Sequence, residues 1–383
     1  MSGLAVIVGV VQFLFTTTWT AYVVYLPALA KEAGIAAWVP WLLVADQLIF
    51  AAMDVVTGYW VDRVRAAIGR LGGWIVAGTA VSCLGFVMLP YAGASPALLI
   101  IAIAVWAITS SALRSPPWAL LARHAPTPAM PWLATLVLTG TAIASALAPY
   151  LGVALRGVDP RVPFIASTVV LLATVVTLML AERRLGAPPA AELRPPAALP
   201  GATLFVALLI LALGFQVHLA LNAAPRYAQF AARDQLPYLL PLFWVGFNLF
   251  MFPAERLVRR WGAADVMALA AALGALAALA AALAPGLALL AVAEFIAGGS
   301  WGAASVAAYS AAVALGRGGR EGRYLGTLFA MLALAVALRI AAAGSGLAQT
   351  QTFSTLAPWL PQSLWLCAAL LLLAPWTRKS LRS

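Results

Sequence analysis

Apolar positions run through this chain in long blocks, broken by short polar or Pro/Gly stretches. A helix needs roughly 20 apolar residues to cross a bilayer. Twelve blocks reach that length, at about 4–29, 38–61, 71–92, 97–121, 131–154, 163–181, 202–224, 238–256, 264–284, 287–314, 325–348 and 358–376. Lys31-Glu32-Ala33-Gly34 ends the first block, Ser95-Pro96 precedes the fourth, and Pro285-Gly286 divides the Ala/Leu-rich run from Ala263 to Leu315. A stretch with Pro188-Pro189, Pro195-Pro196 and Pro200 cannot continue a helix and reads as a linker. The pattern predicts an all-α membrane protein with twelve transmembrane helices in two pseudo-symmetric six-helix bundles. The N-terminal bundle covers 1–185, a Pro-rich cytoplasmic linker 186–200 and the C-terminal bundle 201–383.

Composition agrees with the pattern. Of 383 residues, 64% are hydrophobic and 9% charged, where a soluble domain runs near half apolar and a quarter charged. A soluble protein with so few charges could not cover its surface. The net charge of +11 does not point to nucleic acid, because the basic residues sit in short clusters between apolar blocks. Cys83 and Cys367 lie inside apolar blocks and read as small buried residues rather than a disulfide or metal site. The first block is long and lacks a basic start, so no cleavable signal peptide is expected.

The basic residues also orient the chain. With a cytoplasmic N-terminus, 16 of the 23 Lys and Arg fall in inside loops and 5 in outside loops, leaving Arg114 and Arg339 within helices. This bias predicts a multi-pass protein of the cell membrane, the inner membrane in a bacterium, with both termini cytoplasmic. One internal match supports duplication. The second block ends Gly58-x-x-x-Asp62-Arg63-Val64-Arg65, and the eighth ends Met251-x-x-x-Glu255-Arg256.

These residues resemble the major facilitator superfamily. Its loop after the second helix carries Gly-x-x-x-Asp-Arg and then Gly-Arg or further basic residues, matched here by Gly58, Asp62, Arg63 and Gly69-Arg70. The longer spacer, with Asp54 one turn before Gly58, is similar to the glycoside–pentoside–hexuronide:cation symporters, the melibiose permease group. Phe50 stands where that group has its first acid, and Val55 where it has Pro. The resemblance implies a major facilitator fold and secondary transport. Gly58, Asp62, Arg63, Arg65, Arg70, Arg114, Glu255 and Arg256 are then candidates for the gate that closes the cytoplasmic side.

Charges inside spanning helices are costly and are functional candidates by default. Asp46, Asp54, Arg114, Glu294 and Arg339 qualify. Asp46 and Asp54 are eight residues apart, roughly 12 Å along a helix, too far to share one small ion. That suits a proton carrier, since a buried carboxyl group can load and release a proton. Asp46, Asp54, His218 and Glu294 are the coupling candidates; His218 is also read as a wetted, passive interface residue. Matching depth pairs Asp54 with Arg114, as a gate or as bundle packing, and Glu294 with Arg339 in the C-terminal half. In the superfamily, helices one, four, seven and ten face the central cavity. Gln12, Thr16, Trp19, Ser110, Gln216, Asn222, Trp301, Ser305 and Tyr309 lie on those helices, and Asn248 and Arg339 elsewhere complete the substrate-cavity candidates. Trp38, Trp41, Trp74, Trp359 and Trp376 read as the interfacial belt.

No phosphate loop, His-Glu-x-x-His motif or activated nucleophile appears, so neither an enzyme nor an ATP-driven pump is expected. The expected function is secondary active transport of a small solute by alternating access, as proton-coupled symport of a polar solute such as a sugar. The alternatives are proton-coupled export of an apolar compound or lipid, and a non-transporting assembly factor on the same fold. Expected partners are the bilayer and a small-molecule substrate, not nucleic acid. The chain is expected to act as a monomer without metal or bound cofactor, driven by a proton or sodium gradient.

Overall fold

The computed structural model describes residues 1–68, 71–93, 95–185 and 200–374; the side chains of 65–68 and 200 also lie outside the described set. Twelve helices among these residues are long and apolar enough to cross a membrane. They are α1 (Ser2–Glu32), α2 (Ala36–Val64), α3 (Gly72–Tyr91), α4 (Pro96–His124), α5 (Thr127–Ala154), α6 (Arg161–Arg183), α7 (Gly201–Tyr227), α8 (Arg233–Trp261), α9 (Ala263–Leu283), α10 (Leu287–Gly316), α11 (Glu321–Gly344) and α12 (Gln351–Leu373). No strand occurs among the described residues. Each helix falls within a few residues of its predicted block, because the breakers are local: Gly262, at φ +91°, is the whole connection between α8 and α9, a conformation glycine adopts without a Cβ penalty. Linker residues 186–199, Arg70, Trp376 and the side chain of Arg65 lie outside what the structure describes.

Large apolar side chains such as Leu84, Ile101, Val169, Leu276 and Leu370 point outward, which suits lipid rather than water. Trp38, Trp41, Trp74 and Trp359 are exposed at helix ends, where an interfacial belt would sit. Cys83 is buried, but Cys367 is exposed on α12 and does not pack inside as expected.

The two halves, α1–α6 and α7–α12, meet along α2–α11 and α5–α8. Their helices approach closely through small residues. A Cβ on Gly58 would collide with the backbone of Gly322, and one on Gly326 with the carbonyl of Asp54. At the end of the molecule carrying Asp62, one buried apolar cluster runs from α1, α4 and α5 into α8, α10 and α11. At the opposite end the halves touch where Gly344 meets Pro40 and where the Tyr150 and Tyr238 rings lie 5.7 Å apart.

Two helices are interrupted by proline, and each interruption is repaired from another helix. In α4, a 3-10 turn at Ser111–Leu113 precedes Pro116-Pro117. Pro117 has no N–H for the carbonyl of Leu113 four residues back. Gln12 of α1 supplies one instead, its Nε2 donating to Leu113 O at 2.7 Å. At the start of α12, Pro361 likewise cannot serve the carbonyl of Ala357, and Asn222 Nδ2 of α7 donates to it at 2.7 Å. In lipid an unserved carbonyl has no water to turn to. Gln12 and Asn222, both substrate-cavity candidates in the sequence, each make a helix-repair bond in this structure.

Candidate functional site

The α4 break places Arg114 between the halves. Its Nε lies 3.1 Å from Asp54 Oδ2, and its Nη2 donates to Phe329 O of α11 at 3.3 Å. The rings of Phe50 and Phe329 flank the guanidinium at 5.1 and 5.3 Å. Asp54 is fully buried. The pair expected from matching depth thus forms, and it also reaches the other half through Phe329. Phe50 contributes a cation–π face.

Two turns outward on α2 sits Asp46, also fully buried. It accepts from Tyr22 Oη and from Gln47 Nε2, each at 3.1 Å. Neither partner is charged, and Asp46 has no ion-pair partner among the described residues. Around it Trp19, Tyr22, Phe50, Phe86 and Trp106 form an aromatic cluster, with Trp19 stacked on Trp106 at 5.8 Å. Tyr22 was not singled out in the sequence; only its position on the first helix beside a membrane acid could have pointed to it.

At the Asp62 end, the Asp62 carboxylate accepts from the backbone N–H of Gly322 at 2.8 Å and of Arg323 at 3.0 Å. These are open donors in the first turn of α11, where the helix dipole also favours an anion. One side chain of the first half thereby caps a helix of the second. Arg317 Nη2 donates to Ala125 O at 3.0 Å across the same end, and Trp118 stacks on Tyr309 at 4.2 Å. Arg63 is exposed. The internal match does not repeat this geometry: Glu255 turns to Arg259 and Arg256 of its own helix, at 3.1 and 3.6 Å. Glu182, missed in the sequence, accepts from Leu71 N at 2.8 Å and Gly72 N at 2.5 Å and so caps α3 within the first half. Its signal was a lone acid at the end of an apolar block.

In the C-terminal half the expected partnership fails. Glu294 pairs with His218, Nε2 to Oε2 at 3.1 Å, and not with Arg339. His218 is 3% exposed and paired with Glu294, so it is not a free, passive residue. The physical reason lies in α7, which widens to a π-helix over Val217–Ala223 ahead of Pro225 and brings His218 to α10. Arg339 is left half-buried on α11 with its Nε unpartnered.

The remaining polar candidates mostly serve their own helices. Thr16, Ser110, Asn248 and Ser305 donate to the carbonyls of Gln12, Ala107, Trp244 and Trp301. Trp301 stacks on Phe215 at 4.8 Å, and Gln216 is half-buried. No group of three or more metal-ligating side chains occurs among the described residues.

No curated protein sequence matches the chain. Solved structures resemble it along nearly its whole length. The human organic anion transporter MFSD10 (TETRAN) aligns with a TM-score of 0.73 at 16% identity, covering 97% of this chain and 99% of that one. The E. coli fucose:proton symporter FucP gives 0.70 at 13%, covering 97% and 98%. A bacterial homologue of the iron transporter ferroportin, in an outward-facing state, gives 0.75 at 15%, covering 96% and 98%. At such identities the likeness speaks for the fold alone. The Major Facilitator Superfamily sequence profile matches residues 8–338, and with twelve spanning helices and the Asp62–α11 closure in place, the chain belongs to the Major Facilitator Superfamily of membrane transporters.

Proposed function

We propose that this chain is a proton-coupled symporter of a small polar solute, with Asp46 as the proton carrier. The observation that carries the reading is Asp46 itself, a fully buried carboxyl whose partners, Tyr22 and Gln47, are neutral. Neutral partners can serve either protonation state of Asp46, whereas Asp54 already has the Arg114 cation beside it. Asp54–Arg114 and Asp62–α11 then work as closures between the halves, made in one state and broken in the other. The similarity to the melibiose permease group at Asp54, Gly58 and Asp62–Arg63, and the fold shared with the fucose:proton symporter, favour a sugar-like solute. The basic loop bias favours a cell-membrane protein with the Asp62 end and both termini on the cytoplasmic side. The protein works as a monomer without a bound cofactor.

The test is solute-linked proton movement in proteoliposomes loaded with a pH dye, with fucose, melibiose and benzoate as probes. Wild type should acidify the lumen when one of them is added outside. Asp46→Asn should abolish that signal while still exchanging labelled solute. Unchanged proton movement in Asp46→Asn would overturn the assignment.

A second reading concerns the solute's charge. Arg339 is a half-buried cation with no ion-pair partner among the described residues, and the fold is shared with an organic anion transporter. An anionic solute would supply the missing partner. Benzoate outperforming both sugars, with loss of benzoate binding in Arg339→Gln, would decide for it.

A further inference from the structure

A cavity of about 490 Å³ lies inside the C-terminal half, at the end of the molecule opposite Asp62. It is walled by α7, α9, α10 and the start of α12, so it lies within one half rather than between the two. Its size falls in the range of small-molecule sites, roughly 300–1,000 Å³. The walls are apolar, with Leu221, Ala278 and Ala282, and the exposed rim carries Trp359 and Ser354. The polar floor is the buried His218–Glu294 pair.

The other strong donors facing this cavity are spent on backbone carbonyls. Asn222 is spent on Ala357 O. Arg226 donates to Ala281 O and Ala284 O at 3.1 and 2.7 Å and to Gln229 Oε1. It thereby caps the end of α9, whose last carbonyls have no partner within the helix. Glu294 alone brings a carboxylate to the cavity, and its one ion-pair partner is a histidine, which carries charge only when protonated. The π-helix of α7 costs regular hydrogen bonding and is the type of distortion found at functional sites. Here it turns His218 and Asn222 toward this cavity.

We propose that the cavity is a binding site for a small organic amine, whose ammonium pairs with Glu294 while its apolar body fills the space under Phe353 and Trp359. Aromatic faces at the rim attract a cation and cover an apolar body equally well. A ligand held by one half travels with that half when the halves rock, so the amine is bound without being carried across. The site is distinct from Asp46 and from Arg339, and its failure would leave the transport reading untouched.

The experiment is isothermal titration of the purified, detergent-solubilised protein with benzylamine, with benzyl alcohol as the uncharged match. Benzylamine should bind saturably, and benzyl alcohol at least tenfold more weakly. Glu294→Gln should lose at least tenfold in benzylamine affinity. Ala282→Leu, which fills the cavity from α9 and leaves the His218–Glu294 pair intact, should lose binding as well and decides the matter if Glu294→Gln fails to fold. Equal binding of amine and alcohol, no saturable heat with wild type, or full affinity in either folded variant would overturn the proposal.

Discussion

Among single residues, the sharpest contrast is between the two acids of α2. Asp54 is tied to Arg114, and Asp46 has only neutral partners. Removing the cation from a buried pair leaves a charge without compensation, at a cost of about 3–5 kcal/mol. Arg114→Gln should therefore destabilise the protein by that order in detergent unfolding, and Asp54→Asn added to it should recover most of the loss. Additive losses in the double variant would show that the two do not act as a pair. Gln12 offers a second residue-level test. Gln12→Leu should cost about 1–3 kcal/mol by leaving Leu113 O unserved. Pro117→Ala should rescue it, because an alanine N–H can return to that carbonyl. No rescue would mean that Gln12 stabilises by another route. The sequence marked both Asp54 and Gln12 as unusual in a membrane helix. It did not show that Gln12 serves Leu113 O, since a glutamine that repairs a helix and one that binds solute look alike until its partner is known.

At the level of elements, α2 and α11 make the close contact proposed as the closure. Their contact needs Gly58, Gly322 and Gly326 for backbone approach and Asp62 for the cap on α11. Gly58→Leu should hold that end open. Spin labels at Arg63 and Arg320 should then move apart relative to wild type, and an unchanged distance would show the contact to be incidental. Asp62→Asn should act in the same direction but less, since a charge at a helix N-terminus is worth about 0.3–1 kcal/mol and up to about 2 when partly buried. The helices themselves were legible because each spans the bilayer and ends at a local breaker. The α4 interruption at Pro116-Pro117 was not, because the block at 97–121 reads as one span. The π-helix of α7 was not, although Pro225 lay in view, because a proline near a helix end is as easily a stop as a distortion.

For the whole molecule, the family profile and the twelve spans establish a multi-pass transporter fold. Topology is the remaining test at this scale: an N-terminal epitope on intact cells should stay inaccessible to antibody until the membrane is opened, and its detection on intact cells would reverse the orientation read from the basic loops. The sequence by itself determined the class, the number of helices and the residues whose charge is costly in lipid. These are properties of composition and of spacing along the chain, and the bilayer imposes them on each helix separately. Only the tertiary structure decided the partners. It gave Glu294 to His218, left Arg339 without an ion pair among the described residues, turned Asp62 across to α11 while Glu255 stayed on its own helix, and opened a cavity within the C-terminal half. Partnership depends on helix rotation and on local distortions at proline, which matching depth along a helix does not define.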